Sequence, residues 1–274
     1  MADDFYLRFW GVRGSCACPG VDTLVYGGNT SCVEVRAGGH LIILDAGTGL
    51  TPLGASLRAL GEPVQADLLL SHIHYDHILG LPFFPPAYDP GSRLRFWAGD
   101  CDGGIEAAML RFVQPPYFPV PLQRMSATFS FHDFAAGDSW PLSDRIRVRT
   151  APLVHPDGAT GYRIDYDGRS ICYITDTEHP AQGCDENIVA LVQDANIVIY
   201  DATFNDDDYP NHLGWGHSTW EAGLALCERA GAETLVVFHH APERTDAELR
   251  ALDRVVHQRR PGSVVAREGM VLIP

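Results

Sequence analysis

The chain has 274 residues, enough for one layered α/β domain with a large core, so metal ions are not needed merely to staple it together. Its 20 Lys and Arg against 35 Asp and Glu give a net charge of −15, which argues against long RNA or DNA as the main partner. No basic segment leading into an apolar stretch opens the sequence and no run is long enough to span a membrane, so a soluble, cytoplasmic protein is expected.

Phe5 to Trp10 alternates like a strand and breaks at Gly11-Val12-Arg13-Gly14. Two further strands, Cys32 to Arg36 and Leu41 to Leu44, meet across Gly38-Gly39, and Asp45-Ala46-Gly47-Thr48-Gly49 closes the second. A helix follows from Pro52 to Leu60 and stops at Gly61. Ala66 to Ser71 reads as a short buried strand, leading into His72-Ile73-His74-Tyr75-Asp76-His77 and a helix beginning at Ile78-Leu79. A strand at Leu94 to Ala98 and a helix from Ile105 to Val113 run into Gln114 to Pro121, too rich in proline for regular structure.

In the second half, Thr128 to Phe131 and Ile146 to Leu153 read as strands, the latter ended by Val154-His155-Pro156. A hairpin turns at Asp167-Gly168 between Tyr162 to Tyr166 and Ser170 to Thr175, with Asp176 where it stops. Ile188 to Val192 is helical, and strand Ile197 to Tyr200 ends in Asp201-Ala202-Thr203-Phe204. After the acidic loop Asn205 to Asp208 comes Gly216-His217-Ser218-Thr219, whose hydroxyls can cap a helix running to about Ala230. Strand Leu235 to Phe238 ends in His239-His240, and an amphipathic helix occupies Asp246 to His257. No linker or repeat divides the chain, which is read as a single domain over 1–274. The seven cysteines are odd in number and scattered, as expected for reduced thiols.

Three imidazoles and a carboxylate within six residues are costly to bury without partners, and a metal supplies them. Alternation puts His72 and His74 on one side of an extended segment, able to grip one ion, while Asp76 and His77 can reach a second. His155, Asp176, Asp201 and His239 each stand at or just past a strand end, the edge at which α/β sheets bind ligands. Of the C-terminal pair, His239 follows Phe238 directly and is the preferred ligand. His240 faces another way and is assigned to the substrate or to support of the site.

With these motifs the chain resembles the metallo-β-lactamase-fold hydrolases over nearly its whole length. The resemblance implies a four-layer αββα sandwich with a metal site at one edge. It also implies that His72, His74 and His155 hold one ion and Asp76, His77 and His239 a second, with Asp176 bridging. Asp201-Ala202-Thr203-Phe204 with Gly216-His217-Ser218-Thr219 resembles the ribonuclease Z branch, in which the matching His is the proposed proton donor and the acidic residue, more usually Glu, orients it. Ribonuclease Z grips tRNA with an arm between the positions matching His155 and Asp176, where this chain has only a short hairpin. Gly-Val-Arg-Gly-Ser, Gly-Gly-Asn-Thr-Ser and Pro-Tyr-Phe-Pro-Val instead resemble bacterial cyclic-nucleotide phosphodiesterases, although Ala241 replaces their usual Asp.

The expected reaction is ring opening of a small 3′,5′-cyclic nucleotide. Two metal ions about 3.5–4 Å apart activate a bridging water and screen the phosphate. Asp76, His217 and Asp201 form the catalytic group, with His217 as general acid for the leaving alkoxide. Tyr117, Phe118 and Trp215, with Phe83 and Phe84, are candidates for stacking a base, and equally for core or interface packing. Zinc suits the His-rich site; manganese or iron also fits mixed His and carboxylate ligation. A homodimer is compatible with the proline-aromatic stretch crossing an interface. Three alternatives stay open: a phosphoribosyl cyclic phosphodiesterase, a short nuclease, and a lactone or thioester hydrolase that would need no such acid. A non-catalytic binding protein on the same fold is disfavoured, since every ligand position is filled.

Overall fold

Successive side chains on a strand face opposite ways, so a strand apolar at every position must be covered on both faces. The computed structural model describes residues 4–99, 101 and 103–274. Its first half carries β1 (Phe5–Gly11), β2 (Cys32–Ala37), β3 (His40–Leu44), α1 (Leu50–Arg58), β4 (Gln65–Leu70), α2 (Tyr75–Ile78), β5 (Arg93–Gly99), α3 (Ile105–Phe112) and β6 (Thr128–Phe134). Then come β7 (Ser139–Pro141), β8 (Ile146–Leu153), β9 (Ala159–Tyr166), β10 (Arg169–Ile174), α4 (Glu186–Val192), β11 (Ile197–Asp201) and α5 (Trp220–Ala230). The chain closes with β12 (Thr234–Phe238), α6 (Asp246–Arg259), β13 (Val264–Val265) and β14 (Val271–Leu272).

The strands form two seven-stranded sheets, ordered β14-β1-β2-β3-β4-β5-β6 and β13-β12-β11-β10-β9-β8-β7. Ile42, Leu44 and Leu69 meet Ile171, Tyr173, Ile197, Ile199, Val236 and Phe238 between the sheets. Their neighbours Leu41, Ile43, Leu68 and Leu70 turn outward beneath α1 and α3. Cys172, Ile174, Val198, Tyr200, Leu235 and Val237 turn outward beneath α4, α5 and α6. The result is the expected αββα sandwich. Each buried Leu, Ile or Phe contributes about 1.5–3 kcal/mol, so these three cores dominate the stabilisation.

Most expected elements appear within two or three residues of their anticipated ends. The helix after the histidine motif is displaced: it is the single turn Tyr75–Ile78, which contains Asp76 and His77 rather than following them. Three strands were not anticipated, Ser139–Pro141, Val264–Val265 and Val271–Leu272. All three lie at sheet edges, and at two or three residues they have no periodicity of their own; pairing with a neighbour defines them. Thr219, of the two candidate caps, starts α5 by accepting from the Ala222 N–H at 3.1 Å. None of the seven cysteines forms a disulfide. Among the described residues no helix is long and apolar enough to cross a membrane.

Candidate active site

The histidine motif leaves β4, and His155, Asp176, Asp201 and His239 leave β8, β10, β11 and β12, all at one end of the two sheets. Two groups form, His72 with His74 and His155, and Asp76 with His77, Asp176 and His239; within each the candidate ligand atoms lie within 4.8 Å of one another. Asp176 stands between them. Its Oδ1 is 3.9 Å from Nε2 of both His72 and His155, and its Oδ2 is 3.3 Å from His77 Nε2 and 3.2 Å from His239 Nε2. Ser15, Asp45, Asp176 and His239 all hold positive φ, so backbone strain concentrates around this centre.

The other nitrogen of each imidazole has a neighbour. Nδ1 of His77 meets Asp45 Oδ2 at 2.7 Å, that of His155 donates to Gly216 O at 2.8 Å, and that of His239 lies 3.1 Å from Thr203 Oγ1. His72 Nδ1 is 3.1 Å from Ser71 Oγ, and His74 Nε2 is 3.8 Å from Asp157. What remains are buried Nε2 atoms of His72, His77 and His239 without a hydrogen bond. Buried nitrogen lone pairs converging with two carboxylates are the donor set that divalent metals take, so these residues fit such ions. Burial opposes charge on Asp76, yet His77 and His239 hold it well below the usual carboxylate range.

His217 Nδ1 is 2.9 Å from Asp201 Oδ2, and Asp201 is anchored by the Thr203 N–H at 3.0 Å and the Thr177 N–H at 3.3 Å. Burial disfavours the His217 cation, but the Asp201 carboxylate, aided by Asp176 and Asp76, outweighs it and lifts the imidazole to about 9. His217 also lies within ligand distance of His155 with Asp176, and of Asp201 with His239. It faces a cavity of about 850 Å³ together with His74, Asp76, His155 and Asp176. The far wall of that cavity is apolar, built from Tyr75, Leu79, Phe83, Phe112, Tyr117 and Phe118.

A family model described as a beta-lactamase superfamily domain matches residues 40–240. The chain belongs to the beta-lactamase superfamily. As a superfamily member it is a metal-dependent hydrolase that uses divalent ions. The ribonuclease Z of Haloarcula marismortui is 23% identical over 304 aligned positions, covering 88% of this chain and 90% of its own. The metallo-β-lactamase-fold protein YhfI of Bacillus subtilis superposes with a TM-score of 0.74 at 18% identity, over 99% of this chain and 100% of its own. The short form of human tRNase Z gives 0.69 at 17% identity, over 98% and 99%. The fold and the ribonuclease Z-like character expected from the motifs both stand.

The cavity lining separates the substrate-side candidates: Trp215 and His240 lie off it, and of the two readings open for Phe84 the structure favours core packing. His240 is fully buried, bonded through Nε2 to Ala266 O at 2.8 Å and held by burial at about 3, so it stays neutral and away from the cavity. Alternation after β12 turns it to the face opposite His239. Trp215 is exposed, packs edge-on against His212 and does not line the cavity. Phe84 is buried under α1 in the outer core, whereas Phe83 reaches the cavity edge-on to Phe118. Tyr117 and Phe118 do line it.

Asp45 was missed. It ends β3 as Asp176 ends β10, and its carboxylate accepts from the Ser71 N–H, Ser71 Oγ and Tyr173 OH besides meeting His77. The strand-end rule applied to Asp45-Ala46-Gly47 would have found it. Ser15, whose N–H donates to Asp76 Oδ2 at 2.8 Å, and Gly14, where a Cβ would overlap the His239 ring, fall in the Gly-Val-Arg-Gly-Ser segment, where no side chain of ligand type marks their contact with the site.

Proposed function

We propose that this hydrolase cleaves small phosphodiesters, with 3′,5′-cyclic nucleotides as substrates and ring opening as the reaction. The Asp201–His217 pair, facing the same cavity as the ligand groups, carries the reading. In it His72, His74 and His155 hold one divalent ion and Asp76, His77 and His239 the other, with Asp176 shared. Bound there, such ions supply Lewis-acid stabilisation of a phosphate and activation of water. The chain's own residues do the rest. Asp201 keeps the Nδ1 proton of His217 in place, which leaves Nε2 to protonate the departing ribose oxygen; an alkoxide leaves poorly without that proton. Phe83, Tyr117 and Phe118 offer an apolar face for a base, which stacks with little regard to its identity. Zinc is the ion proposed, and a homodimer with the exposed Tyr117 at its interface belongs to the same reading.

The name of the curated relative, ribonuclease Z, favours a second reading, an RNA 3′-end substrate. Against it stand the net charge of −15 and the short β9–β10 hairpin between His155 and Asp176. The deciding measurement is turnover of cyclic nucleotides, a phosphoribosyl cyclic phosphate, a lactone and a 3′-extended tRNA by metal-loaded protein, with a chelated control. Ring opening of the nucleotides that chelator abolishes is expected; cleavage of the tRNA or lactone alone would replace the reading. His217→Ala should retain its metal and lose roughly two to four powers of ten in nucleotide turnover.

A further inference from the structure

Of the three residues after Asp176, Glu178 and His179 reach across to the segment that carries His217, and Thr177 reaches the partner of His217, Asp201. Glu178 Oε2 accepts from the Gly214 N–H at 2.9 Å and the Gly216 N–H at 3.2 Å, and its own N–H donates to Val154 O at 2.7 Å. His179 Nδ1 lies 2.8 Å from Ser218 Oγ, and its ring stacks on Tyr209 at 4.2 Å. Gly214 and Gly216 have φ of +83° and +80°, and that backbone aims both N–H groups at one carboxylate. Hydrogen bonds to a carboxylate are about twice as strong as neutral ones, and Glu178 takes two where Asp201 takes one longer bond from Thr177, so this is the firmest of the three grips.

The middle grip also sits at a junction. Gly216 O accepts from His155 Nδ1, and the next residue is His217. A Cβ at Gly216 would run into the His155 ring, so the turn and the imidazole are in direct contact. Glu178 itself does not line the cavity.

We propose that Glu178 is a positioning residue for proton transfer: by holding the Gly214–Gly216 turn it sets the aim of His217 at the leaving oxygen. The inference rests on His217 being the acid. Because Glu178 follows Asp176 by two residues, the shared ligand and the acid are aligned by one short stretch of chain.

The test compares two substrates of the metal-loaded protein. A 3′,5′-cyclic nucleotide expels an alkoxide that needs a proton, whereas bis(p-nitrophenyl) phosphate expels a stable phenolate that does not. Glu178→Ala should lower kcat for the cyclic nucleotide by about 10–100-fold, leave KM within about twofold, and change nitrophenyl turnover by less than about threefold. Glu178→Gln keeps one acceptor and should recover most of the loss. An equal loss on both substrates would overturn the proposal, because a general structural defect does not distinguish leaving groups. His217→Ala, run in parallel, must show the same leaving-group dependence; if it does not, the acid assignment fails and not the clamp. Amide exchange needs no substrate: Gly214 and Gly216 should exchange at least roughly tenfold faster in Glu178→Ala, and unchanged exchange would overturn the clamp outright.

Discussion

The two halves of the proposed metal centre are built by different means. Of Asp76, His77 and His239, the two imidazoles are fully enclosed and only Asp76 reaches the cavity wall. Both imidazole side chains are 0% exposed, and their outer nitrogens face Asp45 and Thr203, themselves buried. The His72, His74 and His155 group opens at one member: the His74 side chain is 42% exposed and the Asp157 side chain beyond it 94%, while the His72 and His155 side chains are buried. Enclosure fixes donor geometry before any ion arrives, whereas openness leaves room for water and substrate. One group is held mainly by buried partners, and the other lies nearer the cavity mouth.

The strongest way to break the contrast is Asp45→Ala. It strands the Ser71 N–H, Tyr173 OH and His77 Nδ1 in a site without solvent, so a loss on the order of 3–5 kcal/mol is expected from chemical denaturation. Metal affinity of the enclosed position should fall by about 10–100-fold in the same variant. Stability within about 1 kcal/mol of wild type would show that the enclosed half is not prebuilt.

Gly14→Ala acts on the same half from the loop side. The added methyl meets the His239 ring, and overpacking of this kind costs about 1–3 kcal/mol. Elemental analysis after dialysis should find the enclosed ion depleted first; loss from the open half instead would reverse the assignment.

The smallest effect sharpens the comparison from the other side. Asp157 is almost wholly solvent-exposed and 3.8 Å from His74, so screening leaves it little hold. Asp157→Asn should change calorimetric metal affinity by less than about threefold, and that change should vanish in high salt. A tenfold change would mean that the open half is supported as firmly as the enclosed one.

Much of this was legible in the chain. The strand faces follow from alternation that a reader can count, and the rule that ligands gather past strand ends picked out His155, Asp176, Asp201 and His239. Asp45, one residue past β3, obeys the same rule, and its contact with His77 is made 32 residues away in sequence. His240 was expected to diverge from His239, but whether it met substrate or core depended on Ala266, 26 residues away. Phe83 and Phe84 are adjacent and alike; one lines the cavity and the other fills the outer core.

The sequence alone determined the periodicities, the layered class and the residue types gathered at one edge, because these depend on neighbours within a few positions. Only the tertiary structure decided which of the two proposed ligand groups is more enclosed. It also decided that Glu178 reaches Gly214 and Gly216, and that the two-residue strands β13 and β14 exist. Each is set by a pairing between distant segments, and no local pattern encodes the partner's position.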